Sequence, residues 1–290
     1  MAEISATLSD QLAEAVEGMP AFPKSVQRIL EIARDINCQP KELVSVIEKD
    51  PVMTMKLLRA INSAYYNFPK QITTVNQSLV YMGLNTVKNM ALSFAIIGVL
   101  PQKNNADFDM QQYLVHSLTT ASIARLLCQQ QDNKAIDPND SYLAGLLHDF
   151  GKVVFAQFMP LQFREALAMS AEQGIPLHQA EQQIIGTDHS VVGAMLVGKW
   201  QFPRPLTEAI RLHHGTIAPE NDMLVNLFIA NQVSKKLAMG SSGNPVVSRL
   251  PMTLAKRFGG NLDDIIVRLG DLSRIVEEAQ TFAKIGKEAA

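Results

Sequence analysis

The sequence predicts an all-α fold built as two helical bundles. Apolar residues recur at i, i+3 and i+4 along nearly the whole chain, the spacing of one face of a helix. There is no convincing stretch of alternating apolar and polar residues bounded by hairpin turns. Proline and glycine divide the chain into pieces of helical length, and the polar stretch 101–109, with one proline, two asparagines and two aspartates, reads as the linker between the bundles. The segments expected are a helical part over 1–100, a second over 110–240, and a helical extension over 241–290.

Within the first segment, residues 9–17 form a short helix ended by Gly18, and Pro20 and Pro23 hold the chain extended. Val26, Ile29, Leu30 and Ala33 supply the buried face of the next helix, and Leu43, Val46 and Ile47 that of a helix over 41–48. Asp50-Pro51 is a helix start, with Asp capping and Pro in the first turn, and Val52, Met55, Leu58 and Ala60 are expected to continue the core. Gly83 separates helices over 75–82 and 86–99 as a C-terminal cap. After the linker, helices are expected over 113–130, up to His148, and then over 152–158, 163–172, 177–184, 190–199, 205–213 and 223–237. Two more, over 246–258 and 262–284, contain no histidine and read as bundle packing or a partner surface.

Composition narrows the function. Lys and Arg number 26 against 28 Asp and Glu, a net charge of -2, so no global basic field exists to draw in nucleic acid or an acidic membrane. Lys256, Arg257 and Arg268 are balanced by Asp263, Asp264, Glu277 and Glu278. Cys38 and Cys128 are too few for a disulfide framework and lack metal-binding spacing. The N-terminus lacks the basic start and apolar stretch of a secretory signal, and the apolar run 90–100, broken by Ser93, is about half the ~20 residues that a bilayer requires. A cytoplasmic protein is expected.

The chemistry concentrates in Leu143-Ala144-Gly145-Leu146-Leu147-His148-Asp149-Phe150-Gly151-Lys152. Leu143, Leu146 and Leu147 share a helical face, so the helix is buried where it becomes ionisable. A buried neighbouring His and Asp either ligate a metal together or form a hydrogen-bonded polar knot. Of six histidines, five form an ordered set with that Asp: His116, His148, His189, His213 and His214. Successive members lie roughly one helical hairpin apart, so different helices can bring them to one pocket. The sixth, His178, sits in a polar helix and is expected to face solvent. Side chains of consecutive His213 and His214 diverge by about 100° at a helix end, so one can point inward while the other reaches across. Imidazoles with a carboxylate and no thiolate suit Fe, Mn, Zn or Ni. A cation pair bridged by Asp149 would orient a phosphoryl group and acidify a water for phosphoester hydrolysis. Lys152, three residues after Asp149, then contacts a phosphate or leaving group; without a metal it is a solvated charge at a helix end.

These residues resemble the HD superfamily of metal-dependent phosphohydrolases, marked by a His, an adjacent His-Asp and a final Asp. The larger histidine set is similar to that of two-metal HD-GYP cyclic-dinucleotide phosphodiesterases, with two departures. Gly215-Thr216-Ile217-Ala218-Pro219 contains no Gly-Tyr-Pro, and Asn231 stands where that family places its last Asp ligand. Across 19–237 the chain more closely resembles the HDOD domain, an HD-related output domain of bacterial signalling proteins. That resemblance rests on Met19-Pro20 to Pro23, Ile47-Glu48-Lys49-Asp50-Pro51, Lys56-Leu57-Leu58-Arg59 with Asn62-Ser63-Ala64, Met82-Gly83-Leu84, the His148 stretch, His189 with Val192-Gly193-Ala194, Trp200 with Pro203, and His213-His214. It implies an HD-like second bundle and a regulatory module that acts on a signalling protein partner or nucleotide-like ligand. His116, His148, Asp149, His189, His213 and His214 would be the metal ligands, and Asp149 and Lys152 the catalytic pair if the module hydrolyses a substrate. Asn in place of Asp removes a carboxylate charge and weakens a divalent site.

Overall fold

Packing between residues distant in sequence, rather than chain order, decides which helices belong together. The computed structural model describes residues 6–21, 27–29, 31–32, 39–101, 103–131, 136–215, 217–244 and 246–288, and among them sixteen helices and no strand. They form two units, one from residues 6–20 and 103–275, the other from 21–102 with 276 onward. These units differ from the segments 1–100, 110–240 and 241–290 at both chain ends. No helix among the described residues is long and apolar enough to cross a membrane.

In the smaller unit, helices α2 (Pro40–Glu48), α3 (Pro51–Ile61), α4 (Val75–Met82) and α5 (Leu84–Val99) follow the expected breaks. The Asp50 carboxylate accepts from the Met53 N–H at 3.0 Å, and Gly83, at φ 78°, ends α4 and opens α5. The core face of α3 is Met53, Leu57, Ala60 and Ile61, an i, i+4, i+7, i+8 stripe. Val52 and Met55, expected in that core, flank the stripe and are 50% and 51% exposed. Val44 rather than Val46 is buried beside Leu43 and Ile47. Ile29 is buried, while Val26, Leu30 and Ala33 lie outside the described residues. The C-terminal helix α16 (Ser273–Glu288) closes this unit: Phe282 packs on Phe94 at 5.1 Å, and the Tyr66 hydroxyl donates to Glu278 at 2.5 Å.

The larger unit contains α1 (Ala6–Gly18) although this helix begins the chain. The reason is polar as well as apolar. The ammonium of Lys199 donates to the terminal carbonyls Val16 O and Glu17 O at 2.9 and 2.8 Å, and the Trp200 indole donates to Pro20 O at 3.2 Å. A cation on the C-terminal carbonyls of a helix satisfies both the orphan acceptors and the helix dipole. Leu12, Ala15 and Val16 are buried beneath.

The helices that carry the chemistry are α6 (Met110–Gln129), α7 (Pro138–Leu147), α8 (Phe150–Phe158), α9 (Pro160–Gln173), α10 (Leu177–Ile184), α11 (His189–Lys199), α12 (Arg204–Leu212) and α13 (Asp222–Lys236). From Tyr113 to Ala124 every residue of α6 is buried, as is every residue of α13 from Met223 to Ser234. A helix buried all round must satisfy its own polar side chains, and Thr119 does so by donating to Val115 O and His116 O at 2.9 and 3.0 Å. Helix α6 packs most extensively against α7 and α13. The expected helix over 246–258 shortens to α14 (Met252–Arg257), because Pro251 sets its start. The expected single helix over 262–284 is broken at Gly270, φ 75°, into α15 (Leu262–Leu269) and α16.

The approach of α7 to α6 depends on Gly145. A β-carbon there would lie 2.5 Å from Ala121 Cα and 2.7 Å from Ala121 N, both backbone atoms that cannot swing aside. Gly145→Ala should destabilise the protein by about 2–3 kcal/mol, the upper range for overpacking a core. Chemical denaturation of the metal-free protein checks this, with an unchanged midpoint as the contrary result.

Candidate metal centre

The chain turns at His148 and Asp149, between the end of α7 and the start of α8, so both side chains leave the helix axis at a buried junction. Gly151 lets that junction lie against the start of α11, where His189 is the first residue; a β-carbon would sit 2.0 Å from His189 O and 2.8 Å from Gly193 N. His116 comes from mid-α6, and His213 and His214 from the end of α12. A loop seals another side. Gly240, at φ 73°, lies where a β-carbon would be 2.4 Å from His116 N, and Ser241 N donates to Gln112 O at 3.1 Å. These contacts place Ser242 over Lys152.

The Asp149 carboxylate is the centre. Its Oδ2 lies 2.7 Å from Lys152 Nζ, 3.3 Å from His148 Nε2 and 3.8 Å from His116 Nε2; its Oδ1 lies 3.1 Å from His189 Nε2 and 3.7 Å from His213 Nε2. Two overlapping ligand groups share it. In His116, His148 and Asp149, and again in Asp149, His189, His213 and His214, one ligand atom per residue falls within 4.8 Å of the others. All six residues expected as ligands are therefore brought together. The Lys152 ammonium also donates to Ser242 O and Oγ at 3.1 and 3.0 Å.

The far sides of three imidazoles are held, while His116 Nδ1 is buried without a hydrogen-bond partner. His148 Nδ1 is 2.8 Å from Gly145 O, His213 Nδ1 is 2.6 Å from Ile210 O, and His189 Nδ1 is 2.5 Å from Glu181 Oε2, which also accepts from the His189 backbone N–H. Such partners fix the tautomer that offers Nε2 to a metal. The inward atoms His116 Nε2, His148 Nε2, His213 Nε2 and Asp149 Oδ1 are buried and have no hydrogen-bond partner in proper geometry. Buried polar atoms left unsatisfied cost free energy, and their convergence fits a bound divalent cation. The donor set of imidazole and carboxylate matches Fe, Mn, Zn or Ni.

Electrostatics sort the histidines. Burial holds His116 well below its ordinary pKa, and brings His213 down to about 4. Burial and the neighbouring imidazoles His213 and His189 also hold His214 well below. Burial acts the same way on His189, but the Glu181 carboxylate overrides it and raises the group to about 9. His189 therefore carries protons on both nitrogens, donating from Nδ1 to Glu181 and from Nε2 to His214 Nε2 at 2.8 Å. Burial would raise the Asp149 pKa, yet His148 and Lys152 keep it well below the usual carboxylate range. Burial and the charge of Lys152 lower Lys235 to about 8.

Several participants were not expected. His178, read as solvent-facing, stacks on His214 with ring centroids 4.2 Å apart and 13° between planes. Burial and His189 lower its pKa to about 4. Glu181, Lys235 and Ser242 gave no signal in the sequence, since each looks like an ordinary surface residue until folding places it. Lys152, offered either as a phosphate or leaving-group contact or as a solvated helix-end charge, is 1% exposed and so is not a solvated charge. Asn231 is buried on α13 with Oδ1 unpartnered, one helical turn from Lys235, so the expected acid position faces the same side as that ammonium.

A protein-family model, the HDOD domain, matches residues 19–216. The chain belongs to the HDOD family. An HDOD protein of unknown function from Geobacter sulfurreducens superposes with TM-score 0.79 at 24% identity, covering 96% of this chain and 97% of that one. A candidate signal transduction protein from Marinobacter aquaeolei VT8 superposes with TM-score 0.78 at 22% identity, covering 98% of this chain and 66% of that one. An uncharacterised protein of Treponema pallidum (strain Nichols) is 26% identical over 254 residues, 87% of this chain; the match spans only about half, 48%, of that curated relative. At these identities the solved structures share the HDOD fold.

Two outcomes follow from the pocket. Replacing Glu181 by Gln should weaken divalent metal binding about 10–100-fold, the usual effect of removing a ligand's outer partner. In the metal-free protein it should also abolish a His189 titration near 9, as read by NMR. The second outcome concerns acid. Below pH about 6.5 an unfolded chain protonates His116, His178, His213 and His214, which the folded HDOD protein keeps neutral, so stability falls from 6.5 toward 4. His189 contributes stability that is complete below 6.5 and lost as pH rises through 9, offset above about 8 by Lys235. Thermal melting in chelator should therefore show an acid limb steeper than the alkaline one; equal limbs would contradict this.

Proposed function

We propose that this HDOD protein is a bacterial, cytoplasmic signalling module whose His/Asp pocket holds a divalent transition metal as a fixed structural element, and which acts through a signalling protein partner or a nucleotide-like ligand. The observation that carries this reading is closure. His116, His148, Asp149, Lys152, His189 and His213 are each 2% exposed or less. Imidazoles on four elements can hold an ion there, but a phosphoester needs open room beside it. The group nearest Asp149 is the Lys152 ammonium, tied down by Ser242. Asn231 gives an amide oxygen where a further carboxylate would help hold a second cation.

The ion's own chemistry would be Lewis acidity toward oxygen ligands. In the reading proposed, the chain uses it to bind α6, the α7–α8 junction, α11 and α12 into one body. His116, His148, Asp149, His189, His213 and His214 would hold the ion. Lys152 balances the Asp149 charge, and Glu181 positions His189.

A second reading, a metal-dependent phosphohydrolase, is favoured by one observation. The two Asp149 oxygens face two different histidine groups, the arrangement of a carboxylate that bridges two cations. In that case Lys152 would have to leave Ser242 to meet a phosphate.

Protein purified without chelators should contain Fe, Mn, Zn or Ni, and Asp149→Ala should lose it. Chelation should lower the melting temperature of the wild type but not of that variant. Hydrolysis of a cyclic dinucleotide or of bis(p-nitrophenyl) phosphate should stay at background with each metal added back. Turnover that disappears in Asp149→Ala would replace the signalling reading with the hydrolase.

A further inference from the structure

The closed pocket raises the question of how a cation enters it. Of the six imidazoles, four are sealed, and only His178 and His214 are half-buried rather than buried. These two are stacked, 4.2 Å between centroids. His214 in turn meets His189 edge-on at 4.7 Å and 86°, with its Nε2 2.8 Å from His189 Nε2. His189 Nε2 lies 3.1 Å from Asp149 Oδ1. A continuous row of imidazoles thus runs from the half-buried rim to the central carboxylate.

We infer that His178 and His214 form the outer station of a loading route, at which a divalent transition cation is first captured before it passes inward to His189 and Asp149. The inference rests on the pocket binding a metal. His178 belongs to neither group of converging ligand atoms, so its role is outside the resident set. Packing does not account for it. Its Nδ1 is buried with no hydrogen-bond partner, a cost that a phenylalanine in the same stack would avoid. Helix α10 fixes its position: Leu177 and Ala180 are buried, and Glu181, one turn on, grips His189. The same helix therefore presents the outer imidazole and orients the inner one. A hydrated cation must shed its waters one at a time, and replacing each by an imidazole nitrogen lowers the barrier to crossing a desolvated rim.

A station on the route changes rates without changing the end states. Its removal should slow uptake and release by the same factor and leave the equilibrium constant unaltered. Full-length protein freed of metal and mixed with Co²⁺ in a stopped-flow spectrophotometer reports loading through the visible bands of the coordinated ion, and excess chelator then reports release. In His178→Phe, which keeps the ring stack, both rates should fall roughly tenfold, as for a barrier raised by about 1.4 kcal/mol, with the final Co²⁺ content and dissociation constant those of the wild type. His178→Gln, a polar replacement, should behave likewise and guards against a folding defect in the first variant. Unchanged rates in both variants would overturn the route. So would a reduced Co²⁺ content, which would make His178 a resident ligand. A wild-type protein that takes up no Co²⁺ would instead remove the metal reading on which the route rests.

Discussion

A single carboxylate, Asp149, sets the terms for the larger unit. It is 1% exposed, and a buried charge is tolerated only when paired and hydrogen-bonded. The structure supplies Lys152 at 2.7 Å and four imidazoles within 3.8 Å, His148 from the same junction and His116, His189 and His213 from three other helices. Four of those partners have their own anchor: Gly145 O for His148, Ile210 O for His213, Glu181 for His189 and Ser242 for Lys152. Displacing the carboxylate would leave all of them converging on an empty centre, so the helices α6, α8, α11 and α12 are coupled through it.

Charge balance explains how such a pocket persists without a metal and why a metal suits it. Asp149 and Glu181 bring two negative charges, offset by the Lys152 ammonium and by His189, which Glu181 keeps protonated up to about 9. His189 Nε2 and His214 Nε2 lie 2.8 Å apart, and both residues are among those that would hold a cation. A metal held there would compete with a proton on His189, and its binding would release that proton. Lys235, lowered to about 8 by burial and Lys152, shows how much positive charge this corner already holds. An aspartate at 231 would add a carboxylate on the side of that ammonium; the asparagine offers only an amide oxygen.

Backbone fit matters as much as charge. Gly145 against Ala121, Gly151 against His189 O and Gly240 against His116 N are three points where one main chain touches another. Each glycine sits next to a ligand or one turn from it, so the ligand distances depend on helices approaching closer than any side chain would permit. The sequence displays these residues as ordinary glycines. Their reason appears only when the opposing backbone is in place.

What the sequence determined by itself was local. Periodicity and punctuation gave the helical class, most helix breaks and the caps at Asp50 and Gly83, because those depend on residues within one or two turns. The members of the His/Asp cluster were legible too, since an imidazole beside a carboxylate at the end of an apolar run has few uses. Tertiary structure decided everything that joins distant residues. It placed α1 with the second bundle through Lys199 and Trp200, turned Val52 and Met55 outward by the phase of one helix, and brought Glu181, Lys235 and Ser242 to the pocket. It also stacked His178 on His214. Burial and pairing are properties of neighbours in space, and a histidine in a polar helix carries no mark in the sequence of which neighbours it will meet.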